Sequence, residues 1–242
     1  MKIYSLLTVA TLLFAASSVI AAEEEKKEKE SPWTITAGLG YVSTSGNTNT
    51  DTLIFKIDAA YEIEKWKHEV KFDSLNTSTD DVSTANRKRL NAQSDYKFRE
   101  RDYFFGSFYW EDDEFSGFEY QTKLIVGYGR KIIKTDKHEL DGEVGPGYRY
   151  FKPDNLPSDD EALLRLAGKY KWTISDYSNF TQDLFYDYGQ EQEEWRSVTA
   201  LRTSIYESLA LRLQYEVRYL DVVPVGTNNY DRTTTVSFDY EF

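Results

Sequence analysis

The chain has 242 residues, with no Cys, 1 Met, 2 His, 19 Tyr, 14 Phe and 5 Trp, and 29 Lys plus Arg against 41 Asp plus Glu for a formal net charge of −12. Without Cys there is no disulfide, thiolate metal site or Cys nucleophile; two His cannot make a three-histidine zinc site, although counting leaves a mixed His/carboxylate site open. The acidic balance argues against nucleic acid as a partner, because neutralising phosphates needs clustered Lys and Arg, and 16% aromatics beside 29% charged residues suits an extended surface that needs rings better than a disordered chain or a Leu/Ile-rich soluble core.

Met1-Lys2 precedes an apolar run from Ile3 to Ile20, then Ala21-Ala22 and a charged block from Glu23 to Glu30. This pattern predicts a signal peptide over 1–22, cleaved near Ala21 or Ala22, a charged periplasmic tether over 23–32, and a barrel over 33–242. The alternative is an uncleaved membrane anchor; the small-residue exit and the charged mature start favour cleavage. An exported chain without Cys suits a Gram-negative envelope, and the localisation expected is the bacterial outer membrane.

No later stretch reaches 18 consecutive apolar residues, so no further membrane helix is expected. The negative mean hydropathy does not exclude a membrane barrel, whose wall needs only every second residue apolar. Leu53, Phe55, Ile57, Ala59, Tyr61 and Ile63 alternate with Lys56, Asp58 and Glu62. Leu209, Leu211, Leu213, Tyr215, Val217 and Tyr219 alternate with Arg212, Gln214, Glu216 and Arg218. A period of two is the mark of a strand, and runs of about ten residues match the ~9–11 that a tilted strand needs to cross a bilayer.

In chain order the expected strands are 33–43, 52–64, 66–75, 88–99, 103–111, 118–131, 138–150, 161–172, 177–188, 195–204, 208–221 and 230–242. The segment 103–111 is apolar on both faces, which leaves its register open, and Gln182 sits badly on the outer face of 177–188. The connections alternate between tight turns (Glu64-Lys65, Glu100 to Asp102, Lys134 to Lys137, Thr173 to Asp176, Tyr206-Glu207) and longer acidic or Asn-rich loops, such as Asn76 to Arg87 and Phe151 to Asp160. Counted from a periplasmic N-terminus, every tight turn falls on the periplasmic side, the asymmetry of an outer-membrane barrel. The fold class expected is therefore all-β, a transmembrane antiparallel up-and-down barrel of about twelve strands with both termini periplasmic.

Trp33, Trp66 and Trp172 fall at the periplasmic ends of these strands and Trp110 and Trp195 at the outer ends, as two interfacial girdles require. The chain ends on an amphipathic strand whose Phe238, Tyr240 and Phe242 look like the signal read by the outer-membrane insertion machinery. The competing architecture is a soluble lipocalin-like barrel with its apolar face inward; the long strands, the rings at their ends and the terminal Phe weigh against it.

Trp33, Gly38, Gly40 and the tract Ser45-Gly46-Asn47-Thr48, followed by Arg101-Asp102-Tyr103, Gly127-Tyr128-Gly129, Gly145-Pro146-Gly147 and the terminal Phe242, resemble the YdiY-like family of salt-induced outer-membrane proteins. The resemblance covers nearly the whole mature chain. It implies an outer-membrane barrel without catalytic residues to carry over, and the salt-induced label describes expression more than mechanism.

For chemistry, His68 and His138 both fall near periplasmic ends and read as interfacial residues, and no Gly-x-Ser-x-Gly elbow, phosphate loop or His-Glu-x-x-His motif occurs. No catalytic, cofactor or metal residue is therefore expected, and no cofactor. The acidic loops (Asp80-Asp81, Asp112 to Glu114, Asp159 to Glu161, Glu191 to Glu194) offer carboxylates to divalent cations or to the ions bridging lipopolysaccharide, with solvated charge as the simpler reading. Arg89, Asp95, Lys97, Glu143, Arg149, Asp183, Arg212, Glu216 and Arg218 are expected to line the lumen, where they avoid the ~2–4 kcal/mol that a Lys or Arg meets at the lipid midplane. Both signs occur, so either the charges pair and close the lumen or a hydrated gap passes small solutes. The functions in view are a narrow, non-enzymatic channel linked to salt or osmotic conditions, a closed structural or surface-interaction barrel, and an outer-membrane lipid-modifying enzyme. The partners expected are outer-membrane lipids and lipopolysaccharide, and the insertion machinery during biogenesis.

Overall fold

The computed structural model describes residues 31–44, 50–114, 118–153, 157–223 and 228–242. The signal peptide, nearly all of the tether and the Ser45-Gly46-Asn47-Thr48 tract lie outside these residues. Twelve strands follow one another: β1 (Trp33–Thr44), β2 (Thr50–Ile63), β3 (Trp66–Thr79), β4 (Val82–Lys97), β5 (Asp102–Asp113), β6 (Phe118–Lys134), β7 (His138–Pro153), β8 (Asp159–Ser175), β9 (Ser178–Gly189), β10 (Glu193–Tyr206), β11 (Leu209–Leu220) and β12 (Tyr230–Glu241). Each pairs antiparallel with its sequence neighbours, and β1 pairs with β12 to close the barrel. An even number of antiparallel strands puts both chain ends of the barrel at the end that carries the turns Glu64-Lys65, Asp176-Tyr177 and Glu207-Ser208.

Alternation decides which side chains face lipid. Leu124 and Val126 are 58% and 65% exposed, while Lys123 and Ile125, which alternate with them, are each 1% exposed. The same inversion, with apolar residues out and charged residues in, runs along β2, β4, β8 and β11. A soluble barrel does the reverse. An apolar wall of this extent is stable only against lipid, and the chain is a transmembrane antiparallel up-and-down β-barrel.

Three expected loop segments are corrected. Asn76 to Arg87 is not a loop: β3 and β4 continue to Thr79 and Val82 and are joined by Asp80-Asp81 alone, with φ of 48° and 64°. Two left-handed residues in succession make the mirror-image turn that matches strand twist, so this connection is as tight as those at the opposite end. The acidic stretch Asp112 to Glu114 and the Phe151 to Asp160 segment are likewise partly strand, through Asp113 and through Pro153 and from Asp159. Short polar side chains carried the strands beyond the hydrophobic band, where alternation no longer marks them.

The open register of 103–111 resolves with Tyr103, Phe105, Tyr109 and Glu111 inward and buried, and Phe104 outward. Gln182 does face outward, but it donates to Ser197 Oγ at 3.0 Å and accepts from Thr199 Oγ1 at 2.6 Å; its polar groups are spent on neighbours in β10, which is how an amide is tolerated there.

Glycines permit two close approaches. A Cβ on Gly127 would lie 2.8 Å from the Gly145 Cα, and one on Gly145 would lie the same distance from the Gly127 Cα. On Gly129, which pairs with Tyr103, a Cβ would fall inside the Tyr103 ring. The closing seam is the shortest ladder: β1 meets β12 through Thr36↔Glu241, Ala37↔Tyr240, Gly38↔Asp239 and Leu39↔Phe238, whereas β1 and β2 pair from Trp33↔Tyr61 to Thr44↔Thr50.

The girdle tryptophans take up paired contacts. At the turn end Trp33 packs on Tyr61 with ring centroids 4.7 Å apart, Trp66 on Tyr96 at 5.0 Å, and Trp172 on His138 at 5.9 Å. At the other end Trp195 meets Tyr186 edge-on at 5.5 Å, and Trp110 pairs with Leu90 and Thr122 on the outer wall of β5.

Candidate functional site in the barrel lumen

The lumen has two unlike halves. Toward the loop end, charges from seven strands converge and are buried. Lys123 (β6) donates to Asp187 (β9) at 2.7 Å and Glu194 (β10) at 2.5 Å. Arg165 (β8) meets Asp187 through Nε and Nη2, both at 2.6 Å. Arg149 (β7) holds Glu161 at 2.6 Å, with its Nη2 4.0 Å from Asp187 and 3.9 Å from Glu194. Arg218 (β11) bridges Glu111 at 2.7 Å and Glu194 at 3.3 Å. The side chains of Arg149 and Lys123 are 0% and 2% exposed.

Apolar layers bracket this constriction. Tyr103, Phe105, Ile125 and Leu163 form one cluster. Phe118, Phe151 and Leu220 form another, with Val223 packed against it beside the loops. One more pair, Arg89 with Glu216 at 2.5 and 2.9 Å and with Asp73 at 3.0 Å, ties β4 to β11 and β3.

Toward the turn end the lumen opens into a cavity of about 560 Å3. Its floor includes Arg89, Tyr109, Phe185 and Arg196, and its rim carries Lys67, Glu139, Lys171 and Glu241, of which Lys171 is 52% exposed. Between them Glu143 accepts from Lys169 at 2.8 Å, Tyr103 at 2.9 Å and Gln93 at 3.0 Å, and Gln93 also donates to Asp95 at 2.9 Å. Arg212 joins Asp239 at 2.5 Å and Asp58 at 3.5 Å. Lys97 pairs with Glu62 at the turn end.

The nine residues expected in the lumen do not form one site. Arg149 and Arg218 belong to the constriction, Arg89 and Glu216 to the cavity floor, and Glu143, Asp183 and Arg212 to its wall, while Asp95 is held by Gln93 and Lys97 by Glu62 at the turn end. The constriction also takes in Lys123 and Arg165, which the same alternation marks as inward, Glu111, on the strand whose register alternation leaves open, and Glu161 and Glu194, which the sequence placed in acidic loops and the barrel buries. The sequence reading missed Arg196, whose guanidinium carbon lies 5.0 Å from the Tyr109 ring and 4.8 Å from the Phe185 ring. Period-two patterning gives a face, and nothing in it gives a partner across the barrel.

The two histidines sit on the outer wall. His68 Nδ1 lies 2.8 Å from Ser94 Oγ and the ring stacks on Trp66; His138 Nδ1 lies 2.8 Å from Tyr170 Oη and stacks on the same tyrosine. Among the described residues no group of three or more His, Asp or Glu side chains is arranged to hold a metal ion. Several loop-end acids are engaged locally: Glu114 accepts from Asn86 at 2.9 Å, Glu193 from Tyr186 at 3.1 Å, and Asp160 from Tyr148.

The chain is 29% identical over 202 residues to the uncharacterized protein YdiY of Escherichia coli (strain K12), a match covering 83% of this chain and 80% of that one. In fold it is similar to the COG4313 outer membrane channel from Pseudomonas putida F1, with a TM-score of 0.52, 12% identity, and 92% of this chain and 100% of that one covered. It is also similar to the translocator domain of the autotransporter NalP from Neisseria meningitidis, with a TM-score of 0.50, 10% identity, and 98% and 96% covered. At these identities the two solved structures share the barrel fold with this chain. Residues 37–242 match the family described as "Protein of unknown function, DUF481", and the chain belongs to that family.

Proposed function

We propose that the protein is a non-enzymatic outer-membrane channel for small polar solutes, shut in this conformation by the Lys123–Arg149–Arg165–Asp187–Glu194–Arg218 constriction. The observation that carries the reading is the change in the lumen from an open charged cavity to buried paired charge. A barrel built for stability alone has little need of charges there, because replacing a buried ion-pair cluster with apolar residues of similar volume is often neutral or stabilising. Arg149 Nε and Nη2 and Arg218 Nε and Nη2 are buried without a hydrogen bond, so the network holds surplus donors that can change partner.

In this reading the signal peptide is removed on export, the tight turns and both termini face the periplasm, and the cavity is a periplasmic vestibule. Lipopolysaccharide and its bridging divalent cations meet the acidic loop end, the insertion machinery reads the terminal strand, and osmotic or ionic conditions set when the channel is needed. The test is single-channel recording of refolded protein in planar bilayers. The wild type should be mostly closed. Asp187→Asn with Glu194→Gln leaves surplus cations in the constriction and should open an anion-preferring pore, while Lys123→Gln with Arg149→Gln should open a cation-preferring one. If both stay silent while still showing the heat-dependent gel shift of a folded barrel, the channel reading fails. A second reading, a closed structural or surface-interaction barrel, draws on the Phe118, Phe151, Leu220 and Val223 cap at the loop end, and predicts that silence.

A further inference from the structure

Cations and carboxylates line the cavity in equal number once Arg165, which is spent on Asp187, is set aside. Nearly all of them are matched where they stand. Lys169 bonds Glu143, Lys67 meets Glu69 at 3.3 Å, Arg202 meets Glu241 at 2.9 Å, and Lys171 meets Glu139 at 3.8 Å. Arg212 joins Asp239, and Arg89 takes Glu216 and shares Asp73 with Lys56, which stands opposite Asp73 in register. Lys71 stands opposite Asp58, and Asp141 opposite Lys131. One acid and one cation remain, Asp183 and Arg196. The balance of the wall favours neither anions nor cations.

Asp183 and Arg196 are neighbours that do not meet. On β9 and β10 Asp183 pairs with Val198 and Phe185 with Arg196, so the two charges are diagonal on the inward face, with Cα atoms roughly 7–8 Å apart. A free arginine spans that gap. Arg196 instead lies over the Tyr109 and Phe185 rings, and among the described residues its guanidinium has one polar contact, a 3.4 Å bond to Tyr109 Oη. Its other diagonal acid, Glu216, is taken up by Arg89. Lys169, opposite Asp183 on β8, turns to Glu143 and Gln93, and Asp183 acts on Arg196, Lys71 and Lys169 through space alone. The rings thus fix the cation on the cavity floor, with the acid two residues nearer the turn end on the adjoining strand.

A planar guanidinium fork takes a carboxylate bidentately, and a carboxylate such as Asp183 takes an ammonium. A ligand that satisfies both must carry the two groups close together and bring no net charge into a neutral wall. We propose that the vestibule binds free α-amino acids by their zwitterionic head, with the carboxylate on Arg196 and the ammonium on Asp183. The cavity, about 560 Å3, leaves room for a side chain. This deepens the channel reading by naming a solute class for its vestibule, and it is tested without current.

The experiment is isothermal titration of the refolded full barrel in nonionic detergent micelles, with alanine as probe, lactate as the carboxylate lacking an ammonium, and alaninamide as the ammonium lacking a carboxylate. Alanine should bind, and each half-charged probe should bind at least tenfold more weakly. Asp183→Asn should weaken alanine by about tenfold or more, as loss of a charge-assisted contact does, while strengthening lactate. Arg196→Gln should weaken alanine likewise while strengthening alaninamide. These opposite shifts are ones that damage to the barrel cannot mimic. Equal binding of lactate and alanine, variants that weaken every probe alike, or absent binding of alanine in a heat-modifiable barrel would each overturn the site. A barrel that binds alanine but never conducts would sink the channel and spare the site; one that conducts without binding it would do the opposite.

Discussion

Arg165 and Asp187 face each other on adjacent strands and meet through two parallel hydrogen bonds of 2.6 Å, while the same carboxylate accepts from Lys123 at 2.7 Å. One acid thus satisfies two cations from different strands, and it is the joint on which the constriction depends.

Asp187→Ala should therefore cost about 3–5 kcal/mol, the loss typical when one partner of a buried ion pair is removed. Urea unfolding in lipid vesicles, read by the gel shift, measures it. A loss under about 1 kcal/mol would mean that Lys123 and Arg165 find other partners and that the network is looser than its geometry.

Gly129→Ala places a methyl group against the Tyr103 ring, whose hydroxyl donates to Glu143 at 2.9 Å. Overpacking at such a contact costs about 1–3 kcal/mol. The double variant with Tyr103→Ala should lose clearly less than the sum of the two single changes, since the clash requires the ring; strict additivity in the same urea assay would show that Gly129 serves another purpose.

At the β3–β4 turn, Asp81 holds a φ of 64° that glycine adopts without penalty. Asp81→Gly should stabilise the barrel by up to about 1 kcal/mol and leave conductance unchanged. If it destabilises instead, the Asp81 side chain has a role that the turn geometry does not reveal.

Phe242 donates its backbone N–H to Ile35 O at 3.0 Å, and its ring meets Tyr240 edge-on at 4.9 Å. Phe242→Ala should slow assembly by the insertion machinery severalfold, while the stability of the finished barrel changes by less than about 0.5 kcal/mol. Comparing assembly rate with urea midpoint separates the two effects; loss of stability with a normal rate would make the terminal ring a structural contact and nothing more.

Strand number, order and inward face were legible in the sequence wherever apolar and charged residues alternate cleanly, as along Leu53 to Ile63. They were not legible where both faces carry rings, as in Tyr103 to Trp110, or where strands leave the hydrophobic band, as in Thr77 to Ala85. The site was legible only as a face. Lys123 and Glu194 lie on β6 and β10, and only the closed circumference brings their charges to 2.5 Å. Arg196 reads in the sequence as one more lumen charge; it is distinguished by rings on β5 and β9 that a one-dimensional pattern cannot place beside it.

The four-pair seam between β1 and β12 makes the barrel a sheet curled shut, with one join that no hairpin reinforces. Every other ladder is tethered by its own turn, so its strands re-zip after a local fluctuation; at the seam, re-closure means bringing the first and last strands of the chain together again. Deuterium should therefore enter first at Gly40 to Val42 and at Thr233 to Val236. Sideways traffic between lumen and bilayer, if the wall ever parts, has that line as its path of least resistance.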